Sequence, residues 1–596
     1  KESMMALRVI VSSIRYFCRS GQALQGHTKE DGNFIDLLEE RSNDVPALKR
    51  WLTRRDKWLS TDVQNEIIQI MAHNVQRSIV KDVRSSPFFG IIADGTTDIT
   101  GQEQFTLCVR WVDRLTLSAR EAFVGLYNAP DSTADTLYKV LKDMILRIGL
   151  EFQNLRGHCF DGAANMSGRL SGVQKKICDA EPRSLYVHCS NHSLDLVLQE
   201  ASKSCDVIND ALSIVKDISN LILDSHKRRS VFGSVDSPPC HEIPERVDSS
   251  PRSLLPLCPT RWTVRVQSLR RFRENYSRIQ ETLNELTQTP RSTTESCRAA
   301  LQGYSKSMKK FETLFGINIS IALFGPCEEV AKALQRPALR AADAKEAAEA
   351  LGEAISRLRS EPAFDELWQK TQSTATQIGL KEPQVTRPSR PPKRLELTEK
   401  PSKPAALDPR TRMRKEFFAA IDQITCEIHR RFKQPGMEKL VNLELTLTNA
   451  ARGQEYTPDE LRKNLGRHVD DFVLSRLSAQ FMLLPSLLSD VDTVTVESII
   501  DVLQKKSEGV REIFDEIIKY VQLLLSIPAS VASGERSFSA LRRIRTYLRS
   551  RMTQSRLTHL LLLHVHKGRT AELVLDEIIN EFVNRTTERA ATFGLA

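Results

Sequence analysis

The chain has 596 residues, more than one hydrophobic core accommodates, so roughly two to four domains or subdomains are expected. Apolar residues at 40% and charged residues at 27% are ordinary for a folded soluble protein and exclude a disordered or fibrous chain. With 85 Lys and Arg against 75 Asp and Glu the formal charge is +10, which favours a polyanionic partner. Eleven scattered cysteines without a Cys-x-x-Cys pair read as reduced thiols of an intracellular protein. The apolar runs at 521–529 and 557–565 are too short to span a membrane, no other segment approaches that length, and no secretory signal is visible. Opening on Lys1 rather than Met, the chain is expected to be a truncated form.

Residues 1–86 read as helical, with apolar residues at three- and four-residue steps around Phe34 and from Val63. From residue 87 the period changes. Phe88–Ala93, Gln104–Val112 and Ala119–Tyr127 are strand candidates rich in β-formers, the last two joined by a hairpin turn. Ser132–Gly149 then reads as an amphipathic helix, the run from Leu155 to Asp161 as a strand, 172–180 as a short helix and Leu185–Cys189 as a fifth strand. Three meandering strands followed by alternating elements predict a mixed sheet flanked by helices. Residues 193–225 read as helical and 229–260 as a Pro/Ser-rich connector, and from Thr263 to about 370 the pattern is helical. Residues 381–416 hold seven Pro and eleven Lys/Arg against five Asp/Glu, and read as a basic linker. Helical patterning resumes from Arg414 to the end, with interruptions expected near Pro485 and Pro528.

Two of the strand candidates end on a carboxylate followed by Gly, at Asp94 and at Asp161. Either alone reads as a turn residue. On neighbouring strands they would converge, and two such carboxylates repel unless a divalent cation lies between them. That is the starting geometry of two-metal phosphoryl transfer. Asp98 is expected to cap a turn. A third carboxylate, Glu535, follows a Pro and a run of small residues that fit a helix start able to approach a sheet closely; taken alone it reads as a first-turn Glu stabilised by the helix dipole.

Residues 536–556 contain seven Arg and no acid. Phe538, Leu541, Ile544, Leu548 and Met552 give this run one buried face, while Arg542, Arg545, Arg549 and Arg556 fall on another and suggest a phosphate backbone nearby, against the alternative of a solvated face. Cys189 and His192 form a Cys-x-x-His pair, too few ligands for structural zinc, so a packing or hydrogen-bonding role is expected. Arg261 and Trp262 would suit a phosphate contact and base stacking, or a Trp anchoring a helix start. There is no Walker, dinucleotide-binding or nucleophile-elbow motif.

Taken together, the segments around Gln64, Asp94, Gln102, Asp161, His188–Leu196, Thr260–Trp262 and Gly534–Arg549 resemble the hAT superfamily of DNA transposases, nearest the branch with zinc-finger MYM-type and other transposon-derived proteins. The resemblance covers nearly the whole chain. It implies a predominantly helical protein with an α/β, ribonuclease H-like mixed sheet and flanking helices, interrupted by a large all-α insertion. The expected divisions are an N-terminal helical region at 1–86, the first part of the catalytic core at 87–225, the insertion at 226–520 and, at 521–596, the final catalytic helix with the dimerisation region. It further implies that Asp94, Asp161 and Glu535 bind two Mg²⁺ or Mn²⁺ ions, that Trp262 stacks on a flipped base, and that Cys189 and His192 match the family's Cys-x-x-His element. The implied activity is cut-and-paste transposition: strand cleavage, hairpin formation on flanking DNA and joining of 3′-ends to target DNA. Its partners would be transposon-end and target DNA in the nucleus and further copies of the chain, with no membrane. Two departures stand out. No N-terminal zinc finger is seen, so end recognition is expected to be impaired or removed. Gly534 replaces a helix former beside Glu535 and is expected to loosen the turn that aims it. The rival expectation is a domesticated, non-cutting DNA- or chromatin-bound dimer; a general nuclease without transposition is a third.

Overall fold

The computed structural model describes residues 2–26, 32–235, 253–258, 265–288, 295–336, 339–383, 408–489, 491–546 and 549–594. Two compact units are formed: one from Lys1–Cys189, Arg336–Ala342 and Pro435–Ala596, the other from Ser190–Gln335 and Asp343–Gln434.

The first unit contains a five-stranded sheet in the order β3-β2-β1-β4-β5. The strands are β1 (Phe89–Thr97), β2 (Glu103–Val112), β3 (Ala119–Asn128), β4 (Leu155–Phe160) and β5 (Leu185–His188). β1, β2 and β3 pair antiparallel, whereas β4 runs parallel to both β1 and β5. The expected mixed sheet is therefore present. β1, β2 and β4 are buried along most of their length, as their nearly continuous apolar runs require. Helices Thr61–Arg84, Ala532–Ile544 and Gln554–Val565 pack on the antiparallel strands, and Asp515–Ser526 packs on β2 and β4. One apolar cluster joins the N-terminal helix Glu2–Ser20, the sheet and the C-terminal helices.

The described elements of the second unit are all helices. Its core includes an aromatic group formed by Phe311, Phe315, Phe364, Trp368 and Phe417. Helix Phe311–Leu334 is long and apolar enough to cross a membrane, contrary to the expectation that no segment approaches that length. Most of it is buried, with Asn318 hydrogen-bonded to Thr371 at 2.9 Å, so it is accounted for as a core helix.

Several expectations shift. Contacts divide the chain at 189/190 and 434/435 rather than at 225/226 and 520/521, because Pro435–Ala451 and the helices after it pack with the sheet unit. Helix His226–Ser234, capped by Ser225, takes residues 229–234 of the expected connector. Helix Pro409–Phe432 claims the end of the expected linker, started by Asp408 capping and Pro at its first position, while 384–407 lie outside the described residues. Pro485 sits in the last turn of helix Leu474–Leu487 without interrupting it earlier. The nine cysteines whose side chains are described are all free.

A buried ion network braces the parallel strands. Arg156 on β4 donates to both carboxylate oxygens of Asp471, at 2.8 and 2.6 Å, and Arg183 ahead of β5 adds a third bond at 3.0 Å. Burial alone would raise the Asp471 carboxyl, but His468, Arg156 and Arg183 outweigh it and hold it far below the ordinary value of 3.8. The stabilisation is complete above that ordinary value and drains away as pH falls towards the lowered folded value. Asp471→Ala, which strands the buried guanidinium of Arg156 and takes one partner from half-buried Arg183, is expected to cost about 3–5 kcal/mol in urea unfolding at pH 7. The difference from the wild type should shrink on acidification below pH 4, the direction that a melting series over pH checks.

Candidate active site

Strand register brings two of the three acids together. Gly90, Ile92 and Asp94 share one face of β1, and Gly157 and Cys159 share one face of β4. Gly90 pairs with Gly157 and Ile92 with Cys159, so the next positions on that face are Asp94 and Asp161. Asp161 follows directly on the last residue of β4, as expected. Asp94 lies inside β1 rather than at its end, because β1 continues to Thr97 opposite β2.

Glu535 arrives from the far end of the chain by a close crossing. After helix Asp515–Ser526 the chain passes over the two glycines of the sheet. A Cβ at Gly90 would lie 2.1 Å from the Ser526 carbonyl oxygen, and one at Gly157 would lie 2.8 Å from the Ile527 Cα. Helix Ala532–Ile544 then begins, with Glu535 in its first turn. A Cβ at Gly534 would meet the Asp94 Cβ at 3.3 Å and the Thr106 Cγ2 at 3.4 Å. Gly534 is thus where helix and sheet meet, and the expected loosening is replaced by close packing that a bulkier residue would resist.

Three further contacts hold this helix. Thr106, opposite Asp94, is 3.1 Å from the Ser537 hydroxyl. Buried Arg110 donates to the Leu525 carbonyl at 2.6 Å and to Glu121 on β3 at 2.8 Å, and Ser533 donates to the same Glu121. Cys189 ties the remaining side: its amide donates to the Phe160 carbonyl at 3.0 Å, and its sulfur accepts from the Val531 amide at 3.4 Å. It therefore joins the strand end before Asp161 to the chain just before the Glu535 helix.

The Asp94 carboxyl is raised well above its ordinary value, first by loss of hydration, then by the charges of Asp161 and Glu535; the Gly95 amide opposes this in part. The charges of Asp161 and Glu535 therefore reach Asp94. All three are half-buried, so the cluster is open to a ligand. Among the described residues no three His, Cys, Asp or Glu side chains form a ready-made metal-holding group. The carboxylates share a face without being drawn into a ligand set, although hard oxygen donors of this kind suit Mg²⁺ or Mn²⁺.

The expected arginine stripe breaks up. Helix Ala532–Ile544 ends before Arg545, and the next begins at Gln554. Buried Arg545 pairs with Asp98 at 2.6 Å, while Arg549 donates to the Gly21 carbonyl at 2.9 Å and Arg556 to Asn65. These three serve internal structure; Arg542 is exposed. Asp98 does cap its turn, accepting from the Thr100 and Gln102 amides at 2.8 and 3.2 Å, and in addition grips Arg545. Arg261 and Trp262 lie outside the described residues. Cys189 closes the sheet unit, and half-buried His192 lies in the first turn of helix Ser190–Ser204 of the second unit. Sequence reasoning missed Thr106, Glu121 and the sheet glycines. Arg110 inside an apolar strand, one hairpin from Glu121, was the available signal, since the two pair directly across β2 and β3.

Comparison with known proteins bears on the domains rather than on individual acids. The family described as ZMYM1/FAM200, RNase-like domain matches residues 1–172, and the hAT family C-terminal dimerisation region matches residues 483–568. The human protein named 52 kDa repressor of the inhibitor of the protein kinase is 25% identical over 280 residues, covering 44% of this chain and 36% of that protein. Its mouse counterpart is 25% identical over 279 residues, with the same shares covered. The chain thus spans about a third of the length of these curated relatives. With an RNase-like domain ahead of a hAT dimerisation region in a single chain, the protein belongs among those derived from hAT transposases.

Proposed function

We propose that this chain is a metal-dependent DNA transposase that cleaves at transposon ends and joins the freed 3′-ends to target DNA, working as a homodimer or larger assembly in the nucleus. The observation that carries the proposal is the convergence on Asp94 of Asp161, its neighbour by strand register, and of the helix turn that bears Glu535. Asp94, Asp161 and Glu535 would hold two Mg²⁺ or Mn²⁺ ions, whose chemistry is to polarise the phosphate and activate a hydroxyl nucleophile. The chain itself supplies position. The register of β1 and β4 fixes two carboxylates, and the contacts of Gly534, Ser537 and Cys189 fix the approach of the third.

A second reading is a non-cutting, dimeric DNA- or chromatin-bound regulator. It is favoured by the lack of a ready-made metal group among the described residues and by the word repressor in the names of the relatives.

The first reading predicts Mn²⁺-dependent nicking or strand transfer on the element's own terminal-repeat DNA. Asp94→Asn, Asp161→Asn and Glu535→Gln should each lower it by at least about a hundredfold. Equal rates in all four proteins would refute it, and calorimetry showing no Mn²⁺ binding to a well-folded wild type would select the regulator. A separate expectation concerns stability. In metal-free buffer Asp94→Asn removes one of three repelling charges and should raise the melting temperature by roughly 2–4 °C. The same variant should lose the stabilisation that millimolar Mn²⁺ gives the wild type, as scanning calorimetry with and without the ion would measure.

A further inference from the structure

A cavity of about 620 Å³ opens beside the Glu535 helix, between the start of β3 and the end of helix Gln554–Val565. Ser533, Arg536, Ser537, Ala540 and Arg543 line it at three- and four-residue steps, so one face of helix Ala532–Ile544 forms its wall. Four cationic side chains, Arg120, Arg536, Arg543 and Lys567, surround it, against the single carboxylate of Glu121. That carboxylate is neutralised from behind by buried Arg110 at 2.8 Å and is approached by Arg536 at 3.8 Å. Arg120, Arg543 and Lys567 are exposed, and none of the three is held in an ion pair among the described residues. Such a concentration of one charge is costly without an anionic ligand.

We infer that this cavity binds the phosphodiester backbone of a nucleic acid strand as it leaves the acidic cluster. The inference rests on the reading of the site as DNA-directed and adds where the strand runs. Glu535 and the cavity wall belong to one helix, about 10 Å across, so a strand at the carboxylates lies within reach of the cavity. Arg536 and Arg543 are seven residues apart, about 10 Å along a helix at ~1.5 Å per residue. That separation lets the two cations contact different phosphates of one strand. A row of charges at that spacing, on the helix that also bears Glu535, suits a phosphate backbone better than an acidic protein segment. It is also a different surface from the arginines that follow Ile544, of which Arg545, Arg549 and Arg556 are spent on internal contacts.

The test is the salt dependence of binding of a fluorescent oligonucleotide to the full chain, in single-stranded and duplex form. Arg120→Glu/Arg543→Glu/Lys567→Glu is compared with the wild type and with a control carrying the same charge change in exposed Lys49, Arg55 and Lys57. The cavity variant should bind about 10- to 100-fold more weakly at low salt, with the slope of log K against log salt reduced by about 2, at ~0.7–0.9 per lost phosphate contact. The control should keep at least most of the wild-type slope. Single Arg543→Gln, which leaves the fold unburdened, should lower the slope by just under 1. Cavity and control variants that behave alike while the wild type binds DNA would overturn the cavity assignment and leave the DNA reading standing. No DNA binding by the wild type would remove both. Capture of polyglutamate by the wild type, lost in the cavity variant while DNA binding is unchanged, would assign the cavity to an acidic protein segment and refute the inference.

Discussion

Everything at the site depends on how closely one stretch of backbone lies against the sheet. Between Ser526 and Gly534 the chain crosses β4 and β1 at distances that admit no side chain at Gly157 or Gly90 and leave little room for one at residue 534. This crossing converts a separation of several hundred residues into contact between Asp94 and the turn bearing Glu535. Hydrophobic burial drives the helix onto the sheet, through Phe538, Leu541 and Ile544, but that force has no direction of its own. The glycines, the Ser537–Thr106 contact and the Glu121 hub supply the direction.

Charge is distributed accordingly. Two acids that would otherwise be liabilities, Glu121 and Asp471, are enclosed by arginines and serve as anchors. Asp94 instead feels the repulsion of Asp161 and Glu535. A protein interior charges heavily for that arrangement, and such costs concentrate where chemistry is done. The contrast between braced and repelling carboxylates inside one unit separates scaffold from site more sharply than any count of acids.

Much of this was legible in the residues. β-rich runs bounded by turn residues gave the strands to within a few positions, since burial on both faces leaves an apolar signature. Asp161 at a strand end and the small residues ahead of Glu535 could be read for the same reason. Other features were hidden because they are relations between distant segments. Asp94 lies within β1 because β2 pairs with it as far as Thr97 and Glu103, and nothing near Asp94 announces that. The arginines after Ile544 look like a surface stripe until Asp98 and the Gly21 carbonyl are seen to claim two of them. The end of the basic linker became helix because an Asp-Pro start overrode its composition.

Position 534 carries a consequence for the wider lineage. Alanine there would strengthen the isolated helix by about 1 kcal/mol yet press on Asp94, and any larger group would lever the Glu535 turn outward. If the three acids of this chain cut DNA as proposed, enlarging one neighbour would silence cutting without altering a single acid. A census of intact triads does not by itself separate working recombinases from retired ones; the width of the seam between helix and strand must be counted too.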